Sequence, residues 1–301
     1  MEMVLLTIGT SIDKLFNGFD LAVFEFFGNM QNAFLTFVAK FFTALGDEKF
    51  IIMIALLGII LALFKKTRKY GIALIFAIVI GTLITNIIVK PTVLRIRPYN
   101  TLQGNADYWA WYIGAGALSE SDYSFPSGHT TGVFEVAISM FLVLRSDNKK
   151  KISWLLPALA LCTMGSRVYL MVHYPTDVLA GLLVGTLAGV AAYFLMKLAI
   201  YLLENVKPFT YLDKIDLGKT KLFKWATGKG GAIAVTVFVL GAFLFSYIPA
   251  LSEGGDSAVR CAYNDEYDCY NEARVDDEKY PPIDGKEYCK IHWKQLSGVE
   301  E

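Results

Sequence analysis

Three histidines occur in the 301-residue chain, and two of them stand in polar runs that interrupt long apolar stretches. His129 closes the run Pro126-Ser127-Gly128-His129. His173 follows Ser166-Arg167 after five residues and precedes Asp177 by four. A third run opens with Lys90 and ends with Arg97-Pro98. Lys90, Arg97 and Arg167 are three cations of the kind that hold a phosphate, the arginines by paired N–H donors and the lysine as a point charge. A neutral imidazole nitrogen can attack phosphorus and form a phosphohistidine, dividing one difficult step into two. If 173–177 is helical, His173 and Asp177 lie one turn apart on one face. Asp177 can then accept the second imidazole N–H, fixing the tautomer and stabilising the cation that forms. His129 suits a general acid that protonates the leaving oxygen and later activates water. Ser127 and Gly128 precede a helix and are expected to offer backbone N–H groups and the positive helix end to the anion. A helix-cap role for Ser127 is compatible with this. Ser166 is expected to add a hydroxyl donor. No acidic cluster suited to Mg²⁺ accompanies these runs, so the expected catalysis uses no metal or other cofactor.

These residues must be positioned by membrane-spanning helices. The chain is 54% hydrophobic and 19% charged, against about 45–50% and 25% for soluble domains. Its formal net charge of +0 argues against nucleic acid as a partner. Apolar runs at 50–64, 70–89, 129–144, 152–168, 178–203 and 232–251 approach the roughly 20 residues a bilayer requires. Basic clusters separate them: Lys65, Lys66, Arg68 and Lys69; Arg145, Lys149, Lys150 and Lys151; and six lysines between Lys207 and Lys229. Such loops remain cytoplasmic, and alternation of the spans then puts all three reactive runs on the outer face. The expected fold is all-α, a multi-pass transmembrane bundle. Its segments are an interfacial amphipathic region at 1–49, a core at 50–205, a basic cytoplasmic linker at 206–231, an extra transmembrane helix at 232–251 and an acidic extracytoplasmic tail at 252–301.

Finer expectations accompany this plan. The Phe-rich run 19–45, which carries Asp20, Glu25 and Lys40, reads as one or two amphipathic helices on the outer interface, with an extra, poorly apolar transmembrane span as the alternative. Glu2 and the lack of a basic n-region argue against a secretory signal. Gly181, Gly185 and Gly189 form a small-residue packing stripe. Asn86, one turn before Lys90, is expected to orient it. Glu135 is expected to hydrogen-bond a neighbouring helix. Tyr108, Trp109, Trp111 and Tyr112 are expected to anchor a loop at the interface, and Cys162 to be a small core residue.

The ordered patterns Lys-x6-Arg-Pro, Pro-Ser-Gly-His and Ser-Arg-x5-His-x3-Asp resemble the three signature motifs of the type 2 phosphatidic acid phosphatase (PAP2) superfamily. The resemblance extends over about residues 20–203. It implies a bacterial-type membrane lipid phosphatase acting on a lipid phosphate or pyrophosphate, with undecaprenyl pyrophosphate the foremost substrate. Phosphatidic acid and phosphatidylglycerol phosphate stand as alternatives. A non-catalytic lipid-phosphate binder is a further reading, but it would not need both histidines.

The tail from residue 252 holds 13 acidic and 6 basic residues. Cys261, Cys269, Cys289 and His292 supply the Cys₃His ligand set of structural zinc sites. The alternative is a disulfide between two of the cysteines with the third left free. A tail of about 50 residues is too short for a large core, so some cross-link is expected.

Overall fold

The computed structural model describes residues 7–252, 261–263, 269–271, 273 and 279–298. Polar caps start the first helices. Thr7 accepts from the Thr10 amide ahead of α1 (Ile8–Asn29), Asn32 caps α2 (Ala33–Thr43), and Asp47 caps α3 (Glu48–Ala62). α4 (Arg68–Thr82) continues through a π-helical stretch, Leu83–Val89, into α5 (Lys90–Val93). Two short helices, α6 (Pro98–Thr101) and α7 (Ala106–Gly114), lie in the connection to α8 (Gly128–Ser146). α9 (Lys150–Ser153), α10 (Leu155–Tyr169) and α11 (Pro175–Asn205) complete the core. α12 (Thr210–Asp213), α13 (Lys229–Ser252) and α14 (Lys290–Ser297) follow. The fold is all-α, with one isolated bridge, Ile283 to Lys286, among the described residues.

α4, α8 and α11 pack mutually at the centre; α3 lies on α4, α10 on α8, α2 on α10 and α13 on α3. Among the described residues, three apolar helical segments are long enough to cross a membrane: Arg68–Thr101 of 34 residues, Pro175–Asn205 of 31 and Lys229–Pro249 of 21. Large apolar side chains such as Leu183, Phe194 and Val237 face outward from them, as lipid contact requires. The other three expected spans form α3, α8 and α10, of 15, 19 and 15 residues. Fifteen residues of helix extend only about 22 Å, short of a hydrocarbon core of about 30 Å. α8 is the more polar of these, burying Thr130, Thr131, Glu135 and Ser139 in the bundle.

Close approach of α8 to α11 sets the register of the site. A Cβ at Gly185 would lie 2.6 Å from the Thr131 carbonyl oxygen and 2.7 Å from Phe134 Cβ, and one at Gly181 would lie 2.8 Å from the Ser127 carbonyl. The stripe therefore brings the N-terminal ends of both helices together, where the Ser127 amide donates to the Asp177 carbonyl at 3.1 Å. At the opposite end the basic loops meet one another. Lys69 pairs with Asp147, while Lys65 and Arg68 pair with Asp213. The linker after α11 is tied down there, with the Leu217 amide donating to Leu63 O at 3.1 Å.

Several local expectations are corrected. α1 lies against α7, α10 and α11 and buries Asp20 and Phe24. A buried arginine, Arg95, holds Asp20 there. Tyr108 and Tyr112 are wholly buried. Their hydroxyls donate to the carbonyls of Met171 (2.5 Å) and Leu118 (2.9 Å), so Tyr108 supports the His173 turn, Tyr112 ties down the loop after its own helix, and neither anchors an interface. Cys162 points out from α10 and is exposed, because its face of the helix has no neighbour.

Gly185→Ile is expected to destabilise the detergent-solubilised protein by about 1–3 kcal/mol through overpacking. Gly241→Ala, where nothing lies within 4 Å of the new carbon, leaves the unfolding temperature unchanged or slightly raised. Thermal unfolding of both variants checks the α8–α11 contact.

Candidate active site

The chain between α10 and α11 is a tight, buried turn at Leu170, Met171 and Val172. It presents His173 just ahead of Pro175, the first residue of α11. Asp177, at the third position of α11, reaches back to accept the Tyr174 amide at 3.0 Å, the carboxylate half of a capping box. The same oxygen lies 3.4 Å from His173 Nδ1 and also accepts from the Ser124 hydroxyl. His173 Nε2 lies 3.1 Å from Arg97 Nη1. A guanidinium only donates, so Nε2 is the acceptor and the imidazole proton sits on Nδ1, facing Asp177. Burial, reinforced by the Arg97 and Arg167 charges, pushes the His173 pKa well below 6.5. The ring is therefore a neutral base with its lone pair on Nε2.

The three predicted cations converge beside it. Lys90 pairs with Asp122. Arg97 donates to the Asp122 carboxylate, to Glu120 Oε2 at 3.3 Å and to the Asp122 carbonyl at 2.8 Å. Arg167 pairs with Glu120 and donates to Thr43 Oγ1 at 2.7 Å, while its buried Nε has no partner. His129 Nδ1 stands 3.7 Å from Glu120 Oε1. Gly128 adjoins Lys90: a Cβ there would lie 3.6 Å from the ammonium nitrogen. Lys90, Arg97, Gly128, His129, Arg167 and His173 thus surround one polar pocket, with Asp177 behind His173.

Glu120 and Asp122 were not singled out from the sequence, yet they fill the centre of this pocket. Burial favours their neutral forms, but Arg97 and Arg167 hold the Glu120 carboxyl well below the usual range. Lys90 and Arg97 do the same for Asp122. The run Ser119-Glu120-Ser121-Asp122 carried a usable signal: three cations grouped in a low-dielectric site must be neutralised when no phosphate is present. Arg95 was also missed. It is wholly buried, binds Asp13 (2.8 Å), Asp20 (2.8 Å) and Asp177 (2.6 Å), and stacks 3.7 Å from the Tyr174 ring. It ties the carboxylate behind His173 to α1.

Three other assignments change. Ser166 Oγ donates to the Thr163 carbonyl of its own helix at 2.7 Å and is not aimed at the pocket. The Ser127 hydroxyl accepts from the Thr130 amide at 3.4 Å and its own amide is bound to Asp177 O. Ser127 is thus a cap, leaving the amides of Gly128 and His129 at the open start of α8. Asn86 makes no hydrogen bond to Lys90: the intervening stretch is π-helical, and the Lys90 ammonium is taken by Asp122.

A cavity of about 320 Å³ runs from this pocket between α3 and α4. Its mouth includes Lys90, Glu120, Asp122 and His129, and its far wall is apolar, with Ile51, Ile52, Leu56 and Ile78. Glu135 also lines it; its Oε2 is buried without a hydrogen-bond partner, so the expected bond to a neighbouring helix is not formed there. Elsewhere Cys261, Cys269, Cys289 and His292 also converge, as unpaired thiols beside an imidazole.

The bundle and pocket define a helical membrane protein with a cationic anion site that opens into an apolar cavity. The sequence model of the PAP2 superfamily matches residues 70–201. Undecaprenyl-diphosphatase of Sulfolobus acidocaldarius is 32% identical over 173 residues, which cover 56% of this chain and 74% of that protein. Undecaprenyl-diphosphatase BcrC of Bacillus subtilis is 32% identical over 165 residues, covering 53% and 74%. The crystal structure of a transmembrane PAP2-type phosphatidylglycerolphosphate phosphatase from Bacillus subtilis superposes with a TM-score of 0.50 at 25% identity, covering 67% of this chain and 93% of that one. The chain belongs to the PAP2 superfamily and is a membrane phosphatase of that type.

If Glu120 and Asp122 compete with the anion for these cations, Asp122→Asn tightens orthophosphate binding several-fold, as calorimetry would measure. Unchanged or weaker binding would contradict the competition.

Proposed function

We propose that this lipid phosphatase hydrolyses a lipid pyrophosphate, undecaprenyl pyrophosphate foremost, through a phosphohistidine on His173 at the outer membrane face. One observation carries the proposal: the His173 lone pair on Nε2 faces the cationic pocket while Nδ1 faces Asp177. The terminal phosphate enters by taking Lys90, Arg97 and Arg167 from Glu120 and Asp122, and the Arg97 N–H moves from Nε2 onto a phosphate oxygen. Nε2 then attacks phosphorus; the N–P bond forms as the bond to the lipid-phosphate oxygen breaks. His129 donates a proton to that oxygen. Asp177, held by Arg95 and Ser124, stabilises the imidazolium as it develops. His129 next takes a proton from water, whose attack on phosphorus breaks the N–P bond and frees orthophosphate. Side-chain cations carry the phosphate charge, so the scheme uses no divalent ion at the reacting phosphate. Ser166 supplies no hydroxyl in it, and Gly128 contributes its amide at the start of α8.

The apolar wall of the cavity suits the first units of a lipid chain, and the names of the two undecaprenyl-diphosphatase relatives favour an isoprenoid. Phosphatidylglycerol phosphate remains the second candidate, on the name of the structural relative. The gathering of the basic loops at the opposite end of the bundle supports an outward-facing site.

His173→Ala is expected to abolish phosphate release from a lipid-phosphate panel and to form no labelled phosphoenzyme; turnover by this variant would overturn the mechanism. Arg167→Lys loses most activity, because one ammonium cannot reproduce the guanidinium's contacts to two groups. The nucleophile is the deprotonated ring and its pKa is depressed, so the acid limb of kcat/KM lies below pH 6.5; a limb above that value would contradict a buried neutral His173. In right-side-out vesicles, an impermeant maleimide labels Gly104→Cys more than the parent protein and leaves Lys150→Cys at the parent level. The reverse pattern would place the site inside.

A further inference from the structure

The tail cluster lies outside the phosphate chemistry, and nothing in that chemistry requires it. The Cys261, Cys269 and Cys289 sulfurs and one nitrogen of His292 all lie within 4.8 Å of one another. His292 Nδ1 is 3.3 Å from Cys261 Sγ and 3.4 Å from Cys289 Sγ. Zinc–sulfur bonds near 2.3 Å and zinc–nitrogen bonds near 2.0–2.1 Å place neighbouring tetrahedral ligand atoms roughly 3.5–3.8 Å apart. The observed spacing is close to that of a ligand shell. A disulfide would draw two sulfurs together and leave no reason for the third thiol and the imidazole to join them. All three cysteines are buried and form the centre of the tail's own small cluster, with Tyr263, Tyr288 and Ile291 around them. The Tyr263 ring stacks on His292 at 3.9 Å and fixes its orientation. Cys289 is the N-cap of α14 and His292 lies in its first turn, which accounts for their spacing.

The cluster is also fastened to the loop that carries Arg97. Asn271 Nδ2 approaches Cys289 Sγ at 3.5 Å, while its Oδ1 accepts from Tyr99 OH at 3.1 Å and from Asn100 Nδ2 at 2.9 Å. The Tyr99 hydroxyl in turn accepts the Glu120 amide at 3.0 Å. Beside it the Tyr270 amide donates to Asn100 Oδ1 at 2.9 Å, and its ring meets Trp109 edge-on at 4.8 Å.

We propose that Cys261, Cys269, Cys289 and His292 bind one zinc ion, and that the zinc-closed tail clamps, through Asn271, the loop carrying Arg97 and Glu120. The thiolates supply the negative charge, and the ion takes the place of the hydrophobic core that so short a segment cannot build. Asn271 is a positioning residue, acting on the pocket through Tyr99. Zinc binding is independent of the phosphatase mechanism; only the clamp's effect on turnover rests on it.

Metal analysis of the full-length protein purified with zinc chloride and then dialysed is expected to give about one zinc per chain. Cys289→Ser and His292→Ala should each lower this at least fivefold, and Cys162→Ser should leave it unchanged. Zinc-free protein, iron in place of zinc, or a disulfide among the tail cysteines in unreduced mass spectra would overturn the site. Asn271→Ala should retain zinc yet speed hydrogen exchange across 98–112 and raise KM with little change in kcat. Unchanged exchange in a zinc-loaded Asn271→Ala protein would overturn the clamp, whatever the activity.

Discussion

Buried positive charge is the constraint around which this protein is organised. Lys90, Arg97 and Arg167 are held within one pocket, where isolated cations would carry a desolvation penalty of several kcal/mol each. Glu120 and Asp122 offset that penalty by pairing with them, in positions that the proposed mechanism gives to the oxygens of an anionic substrate. In the proposed mechanism, binding is then an exchange of one set of oxygens for another. The cations remain oriented before the substrate arrives, and affinity is the difference between two strong sets of contacts. Arg95 repeats the principle a few ångströms away, where Asp13, Asp20 and Asp177 answer one guanidinium.

The helices make this charge cluster possible by bringing distant residues into a fixed register. Glycines on α11 let its backbone lie against α8, and the Ser127–Asp177 backbone bond locks the two N-terminal ends together. The first helix contributes Asp20, which accepts the Thr176 amide as well as Arg95. The turn between α1 and α2 is pinned to Tyr169, just before the His173 turn, through Gln31 and Asn32. Tyr108 holds that turn as well, through the Met171 carbonyl. His173 therefore sits on a platform built from α1, α7, α8, α10 and α11.

The apolar runs, the basic loops and the three spaced motifs were all legible in the sequence, because each rests on a short-range regularity: hydropathy, charge clustering or fixed residue spacing. Groups that complement the protein rather than the substrate were not. Glu120 and Asp122 carry the same sign as a phosphate, so a search for phosphate-binding chemistry passes over them. Arg95 lay in plain view between Lys90 and Arg97, but its partners Asp13 and Asp20 are on a helix whose burial no periodicity indicated. Asn86 failed because helical spacing assumes 3.6 residues per turn and the chain is π-helical there. Ser166 failed because a helical serine can turn its hydroxyl onto the preceding carbonyl. The tail cysteines were visible as a ligand set, whereas their attachment to Tyr99 and Asn100 is purely tertiary.

A high-resolution structure with orthovanadate or orthophosphate bound tests the central charge exchange most directly. The anion should lie on Lys90, Arg97 and Arg167, within bonding or contact distance of His173 Nε2, with the Glu120 and Asp122 carboxylates moved off those three cations. An anion bound elsewhere, or one seated while both carboxylates keep their present partners, would contradict it.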